Sequence, residues 1–377
     1  MEKAGIVLTG GGARAAYQVG VLRAISDMYP GSGYPFEVIV GTSAGAINAM
    51  SLAGGGSIFR HSVSRLEALW SELTIDQVFY TGTYSILGNM TRVARKLVSG
   101  GHQSRTMSLL NNTPLRKLLE RELDLAAVRE TLDSGALRAV GVNACGYATG
   151  QNICFFDSHS NIESWSSGQR AGCRTELTLS HVLASSAIPT LFPPVKVNRE
   201  YFGDGVTRQM AHVSPALRLG AERVLVIGVS SNSMCSPKRP DHPGVPGFGQ
   251  VMSHVFNGMF LDTLDYDIER LRIINQLVDM IPDRKLAASG LDLRPVELLD
   301  ISPSEPIEDL AVPYMDRLPA LLKPMTGVPE EGGDPTGASL ASYLLFDKGF
   351  AQDLISLGYR DAQSHSKQIE RFFGYGD

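Results

Sequence analysis

Apolar residues fall along this chain in two kinds of run. Residues 5–9 (GIVLT) and 36–40 (FEVIV) are short and continuous, the pattern of strands buried on both faces. Each passes through glycines into a helical pattern. Gly10-Gly11-Gly12 leads into a segment with Tyr17, Val19, Leu22 and Ile25 on its apolar side. Gly41-Thr42-Ser43-Ala44-Gly45 leads into a helix over 46–52. Two strand–turn–helix units in succession predict an α/β protein with a parallel sheet. Further on, Thr113-Pro114 starts a helix with Thr as N-cap. Strands are expected over 137–144 and 152–156, joined through Tyr147-Ala148-Thr149-Gly150, and a helix over 177–184. Residues 188–194 (IPTLFPP) are extended because their prolines block helix. Residues 201–205 (YFGDG) read as a turn, and 224–229 (VLVIGV) as another buried strand.

Past that strand the pattern changes. Residues 231–249 and 324–337 are rich in Pro, Gly and Ser and read as flexible stretches. Residues 255–278 and 345–373 carry helical periodicity. No internal repeat is present. The expected organisation is a catalytic region over 5–215. A C-terminal portion over 216–377, with one further core strand and then mainly helix, packs on the same unit.

Composition narrows the function classes. A formal net charge of -5 gives no basic face for nucleic acid. The four cysteines, Cys145, Cys154, Cys173 and Cys235, lack zinc-type spacing and read as free thiols of a reducing compartment. Cys145 and Cys154 flank the expected hairpin. The apolar run 4–8 is too short for a signal-peptide core, and no stretch reaches the length of about 18 apolar residues that would span a bilayer. The expected location is the cytoplasm. No His/Asp/Glu cluster has ligand spacing, so neither metal nor cofactor is expected.

The chemistry gathers at the glycine turns. Gly41-x-Ser43-x-Gly45 between a strand and a helix is the nucleophile-elbow arrangement. Its sharp turn lifts the serine hydroxyl from the sheet edge. The following helix aims its first amides, from Ala44 onward, at a developing oxyanion. The loop Gly10-Gly11-Gly12-Ala13-Arg14 offers successive amides as an anion nest, with Arg14 adding positive potential. Gly10-x-Gly12-x-x-Ala15 also satisfies a dinucleotide fingerprint, but that reading requires an acidic residue at the end of the second strand, where Val40-Gly41-Thr42 stands. Neither turn carries the Gly-Lys-Ser/Thr ending of a P-loop.

A Ser-His-Asp triad would need a late histidine. His212, His242, His254 and His365 follow the turn at 204, and none sits in a strand-to-loop context. Asp204 lies between Gly203 and Gly205, where flanking glycines allow close approach to another segment. Taken alone, this is equally an Asx-type turn or a base for Ser43.

Together these segments resemble the patatin-like phospholipases. The resemblance rests on Gly10-Gly11-Gly12-x-Arg14, Gly41-Thr42-Ser43-Ala44-Gly45, Ala184-Ser185-Ser186-Ala187-Ile188-Pro189 with Phe192-Pro193-Pro194, and Asp204-Gly205, in that order over the first 215 or so residues. It implies a three-layer α/β/α fold with a mainly parallel central sheet and a helical C-terminal portion. It also implies a Ser43–Asp204 dyad without histidine or metal, and an oxyanion hole from Gly10, Gly11, Gly12, Arg14 and Ala44. Two departures stand out: Val206 follows Asp204-Gly205, where the family usually has Gly or Ala, and Ala15 replaces a frequent glycine.

Three readings follow. The first is a hydrolase of lipid acyl esters. The second is an acyltransferase sharing the same acyl-enzyme. The third is a silent lipid-binding protein, against which intact Ser43, Asp204 and Gly10 to Gly12 argue. Between 86 and 98, apolar Ile86, Leu87, Met90, Val93, Leu97 and Val98 recur at helical spacing opposite Arg92, Arg95 and Lys96. Such a helix either lies in a lipid interface as a lid, giving peripheral membrane contact, or buries its apolar side on the core.

Overall fold

The computed structural model describes residues 3–81, 108–209, 211–230, 262–288, 293–320 and 336–375, with isolated positions at 251, 254, 255, 258, 290, 322 and 323. The amphipathic stretch 86–98, the loop 231–249 and His242 lie outside the described residues.

The two continuous apolar runs form β1 (Ala4–Leu8) and β2 (Val38–Thr42), buried along their whole lengths. They pair in parallel, with Ile6 opposite Ile39. A parallel pair needs a crossover, and helix α1 (Ala16–Met28) supplies it. The same run–turn–helix logic places helix α2 (Ala44–Ala53) after β2. β3 (Ala139–Gly146) joins the other side of β2 in parallel. β4 (Asn152–Ser158) turns back antiparallel to β3 through a five-residue connection, far too short for a crossover. The remaining strands are β5 (Trp165–Ser167), β6 (Arg170–Arg174), β7 (Val195–Val197), β8 (Glu200–Asp204), β9 (Arg223–Ile227) and β10 (Glu297–Ile301). The main path of the ten-stranded sheet runs β10-β9-β1-β2-β3-β4-β6-β5, and β8 pairs antiparallel with the end of β3.

Side-chain alternation divides the core into two layers. Ile6, Leu8, Ile39, Val142 and Ile227 face the layer holding α1 and α2. Val7, Val38, Val40, Val224 and Val226 face the other, with Ala216, Leu264 and Ile268. A sheet covered by helices on both faces is the three-layer α/β/α arrangement read from the sequence. Its core path from β10 to β3 is parallel throughout.

Several readings need correction. Residues 201–205 are not a free turn: β8 reaches Asp204, and Ala144 of β3 is its register partner. The C-terminal portion supplies two strands, not one, since β10 extends the sheet beyond β9. The helix expected over 255–278 is described as Asp262–Asp279. Cys145 and Cys154 lie across from Asn152 and Asn143, and both are free and buried. Among the described residues no helix is long and apolar enough to cross a membrane.

Candidate active site

β1 and β2 are neighbours, so the loops leaving their C-terminal ends emerge side by side, where open α/β sheets place ligands. Ser43 caps the start of α2 with φ 56° and ψ −127°, a conformation that non-glycine residues rarely adopt. The surrounding packing enforces it. A Cβ at position 41 would sit 2.3 Å from the Gly45 carbonyl oxygen, and one at position 45 would sit 2.3 Å from the Leu8 carbonyl oxygen. Glycine is therefore required at both positions because backbone passes against backbone.

The segment 184–189 braces the elbow. Ser185 Oγ accepts the Ser43 amide at 2.8 Å and donates to the Asn143 carbonyl at 2.6 Å. Ser186 Oγ donates to the Ser43 carbonyl at 3.2 Å. The Ala187 carbonyl accepts the Asp204 amide at 2.9 Å. One short stretch thus holds both Ser43 and Asp204. In the sequence these serines stand out only as part of the 184–189 motif; the signal for their role is a pair of adjacent hydroxyls at the end of a buried helix.

Ser43 Oγ donates to Asp204 Oδ2 at 2.6 Å, while Asp204 Oδ1 accepts the Val206 amide at 3.0 Å. The Thr207 hydroxyl donates to the Asp204 carbonyl. Asp204 is 1% exposed. Burial pushes its carboxyl from the ordinary value up to about 7, and the bonds from Ser43 and Val206 only partly offset this. Gly205 follows in the short helical turn Gly205–Arg208.

The glycine loop enters a 3-10 turn at Gly12–Ala15. Gly12 has φ 54°, and a Cβ there would fall 2.2 Å from the Tyr343 carbonyl oxygen. Gly12, Ser43 and Ala44 line one cavity, so the loop and the start of α2 flank the same hydroxyl. Gly10 and Gly11 lead into this turn behind the cavity wall.

Arg14 departs from expectation. Its side chain is fully buried and directed at the C-terminal helices. There Nε donates to Ser342 Oγ at 2.7 Å, one terminal nitrogen reaches Glu308 at 2.8 Å, and the guanidinium lies 4.1 Å from the centre of the Tyr343 ring. Through Ser342, Glu308 and Tyr343 the Arg14 side chain ties the glycine loop to the C-terminal helices.

The cavity encloses about 580 Å³, mouth included. Ile47, Leu69, Trp70, Leu118, Phe192 and Leu344 are among its walls, and Ser43, Ser186 and Tyr343 are its hydroxyl-bearing residues. Its apolar walls suit a hydrocarbon chain. A buried polar chain supports one wall. Trp70 Nε1 donates to Asn48 Oδ1 at 2.7 Å, Asn48 Nδ2 donates to Gln18 Oε1 at 2.9 Å, and Gln18 Nε2 donates to the Thr9 carbonyl at 2.9 Å. Each buried amide is satisfied, and the carbonyl just past β1 gains a donor. We expect Asn48→Leu to cost about 1–3 kcal/mol in a urea melt, because it strands the Trp70 and Gln18 groups. An unchanged midpoint would dismiss the network as a support.

The histidines lie elsewhere. His212 is buried beside Thr263, 3.1 Å from its hydroxyl, and burial lowers its pKa to about 4. His365 bonds within the C-terminal helices, and His254 is exposed. Among the described residues no histidine hydrogen-bonds to Ser43 or Asp204, and no group of three or more His, Cys, Asp or Glu side chains could hold a metal ion.

A family model described as patatin-like phospholipase matches residues 6–217. A cGAMP-activated phospholipase of Escherichia coli is 28% identical over 208 residues, which are 52% of this chain and 50% of that protein. The chain therefore spans about half the length of this curated relative. Among solved structures, VipD from Legionella pneumophila aligns over 98% of this chain and 67% of its own, at 13% identity and a TM-score of 0.40. Human GIVD cytosolic phospholipase A2 aligns over 99% and 59%, at 11% identity and a TM-score of 0.42.

Proposed function

Because this chain belongs to the patatin-like phospholipase family, we propose that it hydrolyses acyl esters of lipids, with Ser43 as nucleophile and Asp204 as its base. The observation that carries this reading is the 2.6 Å bond from Ser43 Oγ to Asp204 Oδ2 at an apolar cavity. As Oγ attacks the ester carbonyl carbon, its proton passes to Oδ2. The carbonyl oxygen becomes an oxyanion facing the Gly12 turn and the Ala44 amide at the positive end of α2. Collapse of the intermediate expels the alcohol, which takes the proton from Asp204. Water then attacks the acyl-Ser43 ester with Asp204 again as base, releasing the fatty acid. The acyl chain occupies the cavity, and the polar remainder of the lipid stays at its mouth.

Ser43→Ala tests the reading directly. The folded variant is expected to lose both ester hydrolysis and covalent labelling by a fluorophosphonate. Labelling at wild-type level would remove Ser43 from the chemistry.

The raised pKa of Asp204 sets a pH dependence. Below about 7 the carboxyl holds its own proton and cannot accept another. We expect kcat/KM for a soluble ester to climb through that region and then level. A flat profile between about pH 5 and 9 would exclude this carboxylate as the base.

Cavity depth sets chain length in the same reading. Ile47 follows the nucleophile by one helical turn and lines the cavity. Ile47→Trp is expected to lower hydrolysis of long-chain p-nitrophenyl esters by about tenfold or more relative to the acetyl ester, since an overfilled pocket rejects added methylenes. Equal effects on both esters would show that the chain lies elsewhere.

A further inference from the structure

A second cavity of about 320 Å³ lies on the opposite face of the sheet, in the layer that contains Cys154 and Ala216, and shares no wall with the Ser43 cavity. Its walls include Asn152, Trp165, Arg170, Arg208, Gln209 and Ser214. We propose that it binds a small ligand through a phosphate group.

The strongest pointer is Gln209. Its side chain is 2% exposed, lines this cavity, and has no hydrogen-bond partner on either its oxygen or its nitrogen. Buried amides are ordinarily satisfied, and each orphaned group is costly. Satisfying this one takes a ligand that both donates and accepts. A hydrogen phosphate does so at adjacent oxygens: P–OH donates to Oε1 while P–O accepts from Nε2.

Charge points the same way. Arg170 and Arg208 border the cavity with exposed guanidinium groups, and neither forms an ion pair among the described residues. Planar guanidinium forks match phosphate oxygens two at a time. Asp267 is the carboxylate whose field reaches Arg170. It is already used by the Val213 amide at 3.0 Å, and burial raises its pKa, so it opposes an anion less than an exposed carboxylate would. Trp165, stacked on Phe156 with ring centres 5.0 Å apart, supplies an apolar wall for the carbon part of the ligand.

The site abuts the turn that follows Asp204. Arg208 ends that turn, Gln209 comes next, and Asn152 Nδ2 donates to the Gly205 carbonyl at 2.7 Å. A seated phosphate therefore touches residues that fix the path of Gly205–Arg208.

Phosphate could come from a soluble phosphomonoester or from a lipid headgroup, and direct binding measurements separate the two. The full chain is titrated calorimetrically with inorganic phosphate and with glycerol 3-phosphate. It is also sedimented with vesicles of phosphatidic acid, whose headgroup is a phosphomonoester, in a phosphatidylcholine background. We expect saturable binding of at least one probe. Arg170→Gln and Arg208→Gln should each weaken it about tenfold, the loss of one charge-assisted contact. Gln209→Leu should weaken it similarly, with thermal melts of all three variants confirming that they fold. Binding of the soluble probes alone marks a free metabolite, and vesicle binding alone marks a headgroup. No saturable binding of any probe, or binding unaffected by the arginine substitutions, overturns the proposal. Because binding is read without turnover, the result does not depend on the chemistry at Ser43.

Discussion

Asp204→Asn is expected to abolish turnover and, at alkaline pH, to make the protein more stable. The activity loss should be about 10³-fold or more, since asparagine accepts no proton and, among the described residues, no other base bonds to Ser43 Oγ. The stability gain follows from the buried carboxyl. Its folded pKa of about 7 lies above the ordinary carboxylate value, so ionisation favours the unfolded chain. Wild-type stability is therefore full in acid, below the unfolded pKa. It is lost as pH rises through about 7, with each unit of separation worth about 1.4 kcal/mol. Asparagine does not ionise and escapes that loss. Paired melts of both proteins at about pH 5 and pH 9 should show a gap that opens only at the higher pH. A gap of equal size at both would refute the assignment of a buried, ionisable base.

The second large effect is expected at Arg14. Arg14→Met removes a fully buried guanidinium and leaves Glu308 and Ser342 facing an apolar side chain. Breaking a buried pair from one side costs about 3–5 kcal/mol. The loss should extend to catalysis, because Gly12 lies two residues away and rests against the Tyr343 carbonyl. A slackened Gly12 turn should lower kcat by about 10²-fold, comparable to removing one oxyanion donor. Glu308→Gln keeps a hydrogen-bond acceptor for the guanidinium and should be milder in both respects. Urea melts and ester turnover on the two variants give the comparison. Wild-type stability in Arg14→Met would show that the C-terminal helices do not hold the loop.

These two residues mark how far local sequence reaches. The elbow was legible because its signature is local: two glycines and a serine within five residues, with apolar runs directly on either side. The β1 and β2 strands were legible because burial on both faces leaves nearly continuous apolar runs. The ties of the Arg14 side chain to Glu308 and Ser342 are invisible locally because these partners stand 294 and 328 residues away, and next to backbone amides its charge reads as part of the loop. β8 was taken for a turn because of its glycines, yet Asp204 owes its position to pairing with β3. β10 escaped because an edge strand with a half-buried, partly acidic sequence, ELLDI, lacks both alternation and a continuous apolar run.

The strand order also dictates when the molecule can begin to work during its own synthesis. Although β1 comes first in the chain, in space it needs β9 on one flank, with Ala4 registered against Arg223. A nascent chain that has left the ribosome only through β3 therefore presents β1 as an open edge. Its glycine loop still lacks Tyr343, Ser342 and Glu308. With this connectivity, translation must pass Phe346 before the last wall around Ser43 exists, so every shorter product lacks a closed cavity.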